Sequence, residues 1–212
     1  MKYKHIIWDY NGTILDDAQI VLDILNTMLK KRDLPICSME GYREVFDFPI
    51  IDYYKKVGFD FNKYSFDELA DEFMDLYDRL LESCQLRKGI LDFIKKLHAN
   101  GYQQSILTAG REQGIKREVK DFGLDKYITE ITGLHNNKAE SKVHLAELHL
   151  EKIKVDPKDI LFIGDTTHDK QVANKIGCDC VLFAGGHQSV ERLKAVNNKV
   201  ASTTSEIKKY LE

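Results

Sequence analysis

Asp9, Asp165 and Asp169 carry the most chemical potential in the chain. Asp9 follows the apolar run Ile6-Ile7-Trp8 and precedes Tyr10-Asn11-Gly12-Thr13, where Asn-Gly is turn chemistry that tolerates positive φ. An aspartate at the end of a buried strand can be a nucleophile toward phosphorus or a metal ligand; it also suits a turn or a helix cap. Asp165 and Asp169 lie in Gly164-Asp165-Thr166-Thr167-His168-Asp169, a spacing that puts both carboxylates around a helix entry. There they could hold a hard cation such as Mg²⁺, which takes one or two carboxylates plus water and phosphate oxygens. Asp169 alone could equally cap the helix. Thr108 precedes Ala109-Gly110 and a helical pattern, so its hydroxyl and the following N–H groups could hold a phosphate oxygen. A phosphoryl group among carboxylates needs a cation to neutralise it. Lys138 and Lys142, just before the Asp165 strand, are the candidates.

These residues need a frame, and the sequence pattern supplies one. Tyr3–Trp8 reads as a buried strand. From residue 17 to 85 the pattern is helical throughout. Ile20, Val21, Ile24, Leu25, Met28 and Leu29 recur at helical spacing, Pro49 opens a second candidate helix, and Ser65-Phe66-Asp67-Glu68 is a capping box for a third. From Lys88 helix and strand alternate. Helices are predicted over Ile90–His98, Gln113–Asp121, Lys142–Ile153 and Asp169–Ile176, with a last one capped at Thr203. Strands are predicted over Gln103–Leu107, Tyr127–Thr132, Asp159–Ile163 and Cys180–Ala184. Such alternation implies a parallel α/β sheet covered on both faces, whose ligands bind beyond the carboxyl ends of the strands. Asp9, Thr108 and Asp165 all fall at that edge. The expected division is a core of residues 1–16 and 86–212 with a helical insertion over 17–85.

Composition excludes several alternatives. With 212 residues the chain can bury a sizeable core, and 43% hydrophobic with 31% charged residues argues against disorder. The net charge of −3 leaves no general electrostatic footprint for nucleic acid. No apolar run approaches the roughly 18 residues of a membrane span, and the N-terminal apolar run of three is short of the about 7–15 of a secretory signal. The four cysteines, Cys37, Cys84, Cys178 and Cys180, lack metal-knuckle spacing and read as reduced thiols. A cytoplasmic location is expected, with neither a membrane nor a nucleic acid as partner.

Taken together, the motifs resemble the haloacid dehalogenase (HAD) superfamily, in its phosphoglycolate-phosphatase-like branch. The superfamily's DxDGT motif after an apolar strand is similar to Asp9-Tyr10-Asn11-Gly12-Thr13. Its strand ending in Ser or Thr is similar to Ser105-Ile106-Leu107-Thr108, its lysine to Lys142 after Ser141, and its GDxxxD to Gly164-Asp165 through Asp169. The resemblance covers essentially the whole chain and implies a HAD-like Rossmannoid core with an inserted all-helical C1 cap. It also implies a phosphatase acting on a small phosphorylated metabolite, with phosphoglycolate as the branch's substrate. On this resemblance Asp9 would form an aspartyl phosphate. Mg²⁺ would be held by Asp9, the Asn11 carbonyl and Asp165, with Asp169 nearby. Thr108, Ala109 and Lys142 would bind the phosphate.

Asn11 departs from that pattern. Family phosphatases place a second aspartate there to protonate the leaving group and then activate water, and an amide can do neither. General acid–base help is worth about 10²–10⁴-fold, so an aspartate at position 11 is expected to raise turnover. His168 and His187 are possible substitutes. The alternative to the enzyme is a phosphate-binding or regulatory relative that kept the site and lost turnover.

Overall fold

The computed structural model describes residues 2–135 and 141–212, so Lys138 lies outside the described residues. β1 (His5–Trp8) and β2 (Leu15–Asp16) lead into the helices α1 (Ala18–Lys30), α2 (Met39–Val45), α3 (Ile50–Lys56) and α4 (Phe66–Leu80). β3 (Gln85–Leu86) follows, then α5 (Ile90–Ala99), β4 (Gln103–Arg111), α6 (Glu112–Asp121), β5 (Glu130–Leu134) and α7 (Leu145–Ile153). The chain finishes with β6 (Ile160–Gly164), α8 (Thr167–Ile176), β7 (Asp179–Phe183), α9 (Val190–Val196), β8 (Val200–Ala201) and α10 (Thr204–Lys208).

Six strands form a parallel sheet in the order β5-β4-β1-β6-β7-β8. β1 is central because all four of its residues are buried, as a strand covered on both faces requires. Alternation along it divides the core. Ile6 and Trp8 enter one apolar layer with Ile94 of α5 and Val119 of α6, while Ile7 enters the other with Ala146 of α7 and Val172 of α8. The α/β class expected from the sequence is therefore the observed one.

The helical block has an apolar cluster of its own. Leu25, Met28 and Leu29 of α1 pack with Tyr42, Tyr53 and Leu69. Ser65 and Glu68 form the expected capping box at α4. β2 pairs antiparallel with β3, Leu15 opposite Leu86 and Asp16 opposite Gln85, so the chain leaves and re-enters the sheet layer side by side. Polar ties also hold the block to the core. Arg43 donates to the carbonyls of Gly185 and Gly186, and the Gln188 amide and the Arg192 guanidinium both donate to the Phe46 carbonyl.

Several boundaries differ from expectation, for local reasons. β4 does not stop at Leu107 but runs to Arg111, with its register against β5 shifting between Leu107 and Arg111. The segment expected as one helix over Lys142–Ile153 begins as a 3-10 turn, Lys142–His144, with Ser141 accepting from the Val143 N–H. The strand expected over Tyr127–Thr132 lies at Glu130–Leu134, since Tyr127 and Ile128 are spent in turns onto the Leu124 carbonyl. β2, β3, α2, α9 and β8 go beyond what the sequence pattern predicts. They are too short for periodicity to show, and the helices announce themselves only by their caps, Ser38 and Ser189.

A buried polar chain crosses the second layer: His5 Nε2 bonds Ser105 Oγ, which bonds His149 Nε2, whose Nδ1 bonds Thr132 Oγ1. Burial pushes the His149 imidazole down to about 3. Below pH 6.5 the unfolded chain therefore binds a proton there that the folded chain refuses, and stability falls as pH falls toward 3. We expect His149→Gln to lose its stability difference from wild type progressively between pH 8 and pH 5. The change should be about 2 kcal/mol, read from urea unfolding at each pH.

Candidate active site

Adjacent strands bring the sequence-predicted residues together. β4, β1 and β6 are neighbours, so Thr108, Asp9 and Asp165 emerge side by side at the same sheet edge. The Asp9 N–H is tied to the Ile163 carbonyl at 2.8 Å. Thr108, Ala109 and Gly110 sit where the β4–β5 register shifts. The Thr108 hydroxyl accepts from the Gly110 N–H at 2.9 Å, which leaves its own proton for another acceptor. The next helix, α8, has the second capping box. Thr166 accepts from the Asp169 N–H, and Asp169 Oδ2 accepts from the N–H groups of Asp165 and Thr166. Asp169 is thus both a cap and a member of the acidic cluster.

Asp9, Asp165 and Asp169 offer carboxylate oxygens within 4.8 Å of one another, all buried. Lys142, itself 2% exposed, reaches this cluster from the other layer. Its Nζ donates to Asp9 Oδ1 and to the Leu107 carbonyl and lies 2.6 Å from Asp169 Oδ1. His168 accepts from the Lys142 N–H at 3.2 Å and so steadies the lysine's backbone. Among the described residues no hydrogen bond is made to the second Asp9 oxygen, Oδ2.

Electrostatics describe a cluster short of positive charge. Burial, with Asp169 and Asp165 adding to it, holds the Asp9 carboxyl well above the usual carboxylate range, against the pull of Lys142. Burial likewise raises Asp165. Asp169 is held low because Lys142 and Thr166 outweigh its own burial. Three carboxylates against one ammonium is a donor set that fits a hard divalent cation, which favours all-oxygen ligands.

Glycine makes this crowding possible. Gly12 has φ +70°, and a Cβ on it would meet Asp165 Oδ2 at 2.4 Å; one on Gly186 would meet the same oxygen at 2.1 Å. Asp165 is also fixed by the Thr13 hydroxyl and the His187 N–H.

Asn11 is part of a network that the sequence did not reveal. Its Nδ2 donates to Asp17 Oδ2 at 2.7 Å and to the Tyr77 hydroxyl at 2.8 Å. Asp17 also accepts from the Gly12 N–H and from Tyr77, and lies 3.2 Å from His187 Nε2. His187 Nδ1 bonds the Tyr42 hydroxyl at 2.7 Å. Burial opposes the charged imidazole, but Asp17 outweighs it and lifts His187 to about 9. No signal in the sequence joins residues 11, 17, 42, 77 and 187. Arg87, equally unforeseen, donates to the carbonyls of Gly12 and Ala184.

That network changes what an aspartate at position 11 would do. The Asn11 donor would be replaced by a carboxylate facing the Asp17 carboxylate. We expect Asn11→Asp to cost about 2 kcal/mol, a fall of roughly 4–8 °C in a thermal melt for a chain of this size. Its gain in turnover is expected to fall short of the 10²–10⁴-fold that proton transfer alone would bring, measured on alkyl and aryl phosphates with freshly prepared protein.

Asp9, Asn11, Thr108, Ala109, Lys142 and Asp165 all line one cavity of about 160 Å³ between the sheet edge and the helical block. His187 and Asp17 line it too, whereas Asp169 does not. Among the aromatic residues of the helical block, Phe48, Tyr53 and Tyr54 border the cavity and Tyr42 does not. All four cysteines are free thiols. Among the described residues no helix is long and apolar enough to cross a membrane.

With this fold and site in view, comparison with known proteins places the chain in a class. The family model for haloacid dehalogenase-like hydrolases matches residues 6–183. The chain belongs to that family of hydrolases, in agreement with the phosphoric monoester hydrolase expected from its motifs. It is similar to the phosphoglycolate phosphatase of Psychrobacter arcticus, 21% identical over 93% of this chain and 90% of that one. It is also similar to the tyrosine-protein kinase PtkA of Mycobacterium tuberculosis, 21% identical over 97% of this chain and 72% of that one. In fold it resembles a haloacid dehalogenase-like hydrolase from Streptococcus pneumoniae, with TM-score 0.84 at 19% identity, covering 100% of this chain and 99% of the other.

Proposed function

We propose that the protein is a Mg²⁺-dependent phosphatase that hydrolyses a small phosphorylated metabolite through an aspartyl phosphate on Asp9. One observation carries the reading: Asp9 stands in a three-carboxylate cluster, bordered by Lys142 and Thr108, at the floor of a cavity large enough for a substrate. In this reading residues 17–85 are the C1 cap and residues 1–16 and 86–212 the catalytic core.

Asp9 Oδ2 attacks phosphorus as the bond to the leaving oxygen breaks and that oxygen takes a proton from water; a second water then cleaves the aspartyl phosphate, gives up its proton to solvent and restores the Asp9 carboxylate with release of phosphate. Lys142 holds Asp9 in position and neutralises the transferring oxygens, while the Thr108 hydroxyl and the Ala109 N–H orient them. Asp9, Asp165 and the Asn11 carbonyl would hold Mg²⁺, with Asp169 nearby, and the ion would supply charge neutralisation at the phosphoryl group. Asn11 moves no proton. It fixes Asp17 and Tyr77 and so sets the wall against which the leaving group rests. Phosphoglycolate is the substrate named for several relatives and is one member of the panel to be tried.

The test is release of inorganic phosphate from a panel of phosphorylated metabolites. Activity is expected to require Mg²⁺ and to vanish with EDTA. Asp165→Ala is expected to lose it by about 10²-fold or more while staying folded by circular dichroism, the scale of losing an electrostatic stabiliser of the transferring group. Turnover that persists in chelator would rule out the metal-dependent reading.

A further inference from the structure

We propose that the site is built for phosphate esters of an apolar leaving group, an aryl or branched-alkyl phosphate about the size of phenyl phosphate, and disfavours leaving groups that carry a carboxylate. The proposal rests on the phosphatase reading above and concerns the far end of the same cavity.

The helical block, residues 17–85, contributes fourteen of the lining side chains, and two of them are charged: Asp17, which faces His187, and Asp78, which faces Arg111. The rest are aliphatic or aromatic, with Leu25, Phe66, Phe73 and Met74 among them. A leaving group seated against this wall gains by burying apolar surface and finds few groups with which to satisfy a charge. Size sets an upper limit on such an occupant. The cavity, which must also take the phosphoryl group, is about 160 Å³, close to the roughly 150 Å³ that takes benzene, so the leaving group is compact.

Charge argues the same way. Three cationic side chains line the cavity, and each already faces a carboxylate: Lys142 faces Asp9 and Asp169, Arg111 is 2.5 Å from Asp78, and His187 is 3.2 Å from Asp17. Five carboxylates line the same space, Asp9, Asp17, Asp78, Asp165 and Glu118. A second anionic group on the substrate, such as the carboxylate of phosphoglycolate, would be desolvated against this set with no uncommitted cation among the described lining residues.

The experiment uses two non-hydrolysable phosphonates of similar length, benzylphosphonate and 3-phosphonopropionate, titrated calorimetrically into the full chain with Mg²⁺. Benzylphosphonate is expected to bind at least about tenfold more tightly, the scale set by matching or missing an apolar group in a pocket. Met74→Lys, which places a cation on the half-buried wall, is expected to reduce or invert that ratio. Equal affinities, tighter 3-phosphonopropionate, or no binding of benzylphosphonate would each overturn the proposal from the wild-type protein alone. Turnover of phenyl phosphate and phosphoglycolate separates this proposal from the one it rests on. Phosphate release with a preference for the carboxylate compound leaves the phosphatase standing and removes the apolar substrate class. A benzylphosphonate preference without any release removes the phosphatase and keeps the cavity's selectivity.

Discussion

Asp9→Asn is expected to abolish phosphate release, by on the order of 10⁴–10⁶-fold, the scale lost when a covalent nucleophile is removed. The chain should remain folded. An amide has the shape of the carboxylate, the backbone bond from Asp9 to Ile163 does not involve the side chain, and Lys142 keeps Asp169 as a partner. The substitution also removes one of three carboxylates crowded within 4.8 Å. Without Mg²⁺, stability is therefore expected to hold or rise, because the burial that pushes Asp9 upward, and with it the repulsion from Asp169 and Asp165, is relieved. Two measurements check this: phosphate release under single-turnover conditions, and a thermal melt in EDTA. Residual turnover well above the buffer rate in a folded variant would remove Asp9 as the nucleophile.

Lys142→Met is expected to have the second large effect, on both stability and activity. The lysine is the single ammonium facing Asp9 and Asp169 among the described residues, and it is almost wholly buried. Its charge is held firmly: burial lowers its affinity for a proton, yet Asp169 and Asp9 outweigh that. Removing one side of a buried charge cluster leaves the rest uncompensated, at a cost of about 3–5 kcal/mol. For a chain of this size that is a fall of roughly 6–20 °C in the thermal midpoint. Added Mg²⁺ should recover part of it, since a cation that binds the folded cluster stabilises by mass action. Phosphate release should not recover with it, because the group that holds Asp9 Oδ1 is gone. Lys138→Ala is the control, and it is expected to keep both its midpoint and its turnover. If Lys138→Ala loses turnover and Lys142→Met does not, the phosphate-facing lysine is the other one.

Much of the site was readable before the fold because its residues are tied to strand and helix ends. A strand that ends in Asp9, an Asn-Gly turn after it, and Gly164-Asp165 before a helix are local features, and local features survive in a one-dimensional pattern. Lys142 was one of two candidates, since nothing in the polar stretch before β6 says which lysine turns inward. Its burial depends on the 3-10 turn at Lys142–His144 and on His168, which lies 26 residues away in sequence.

The role of Asn11 shows the boundary most clearly. The sequence by itself determined that position 11 cannot exchange a proton, because an amide replaces the acid. It also determined the α/β class, the helical insertion and the order of the motifs, since periodicity and caps are set by neighbours along the chain. Only the tertiary structure decided what the amide does instead. Asp17, just after β2, and Tyr77 from α4 both bond it, and His187 from the loop after β7 joins through Asp17, 170 positions away in sequence. The same holds for the apolar wall of the cavity. Phe66, Phe73 and Met74 read along the chain as ordinary packing residues of an amphipathic helix, and only the docking of the block over the sheet edge turns that face toward Asp9. Such convergence is a property of packed elements and leaves no periodic trace, so it becomes visible when the layers are assembled.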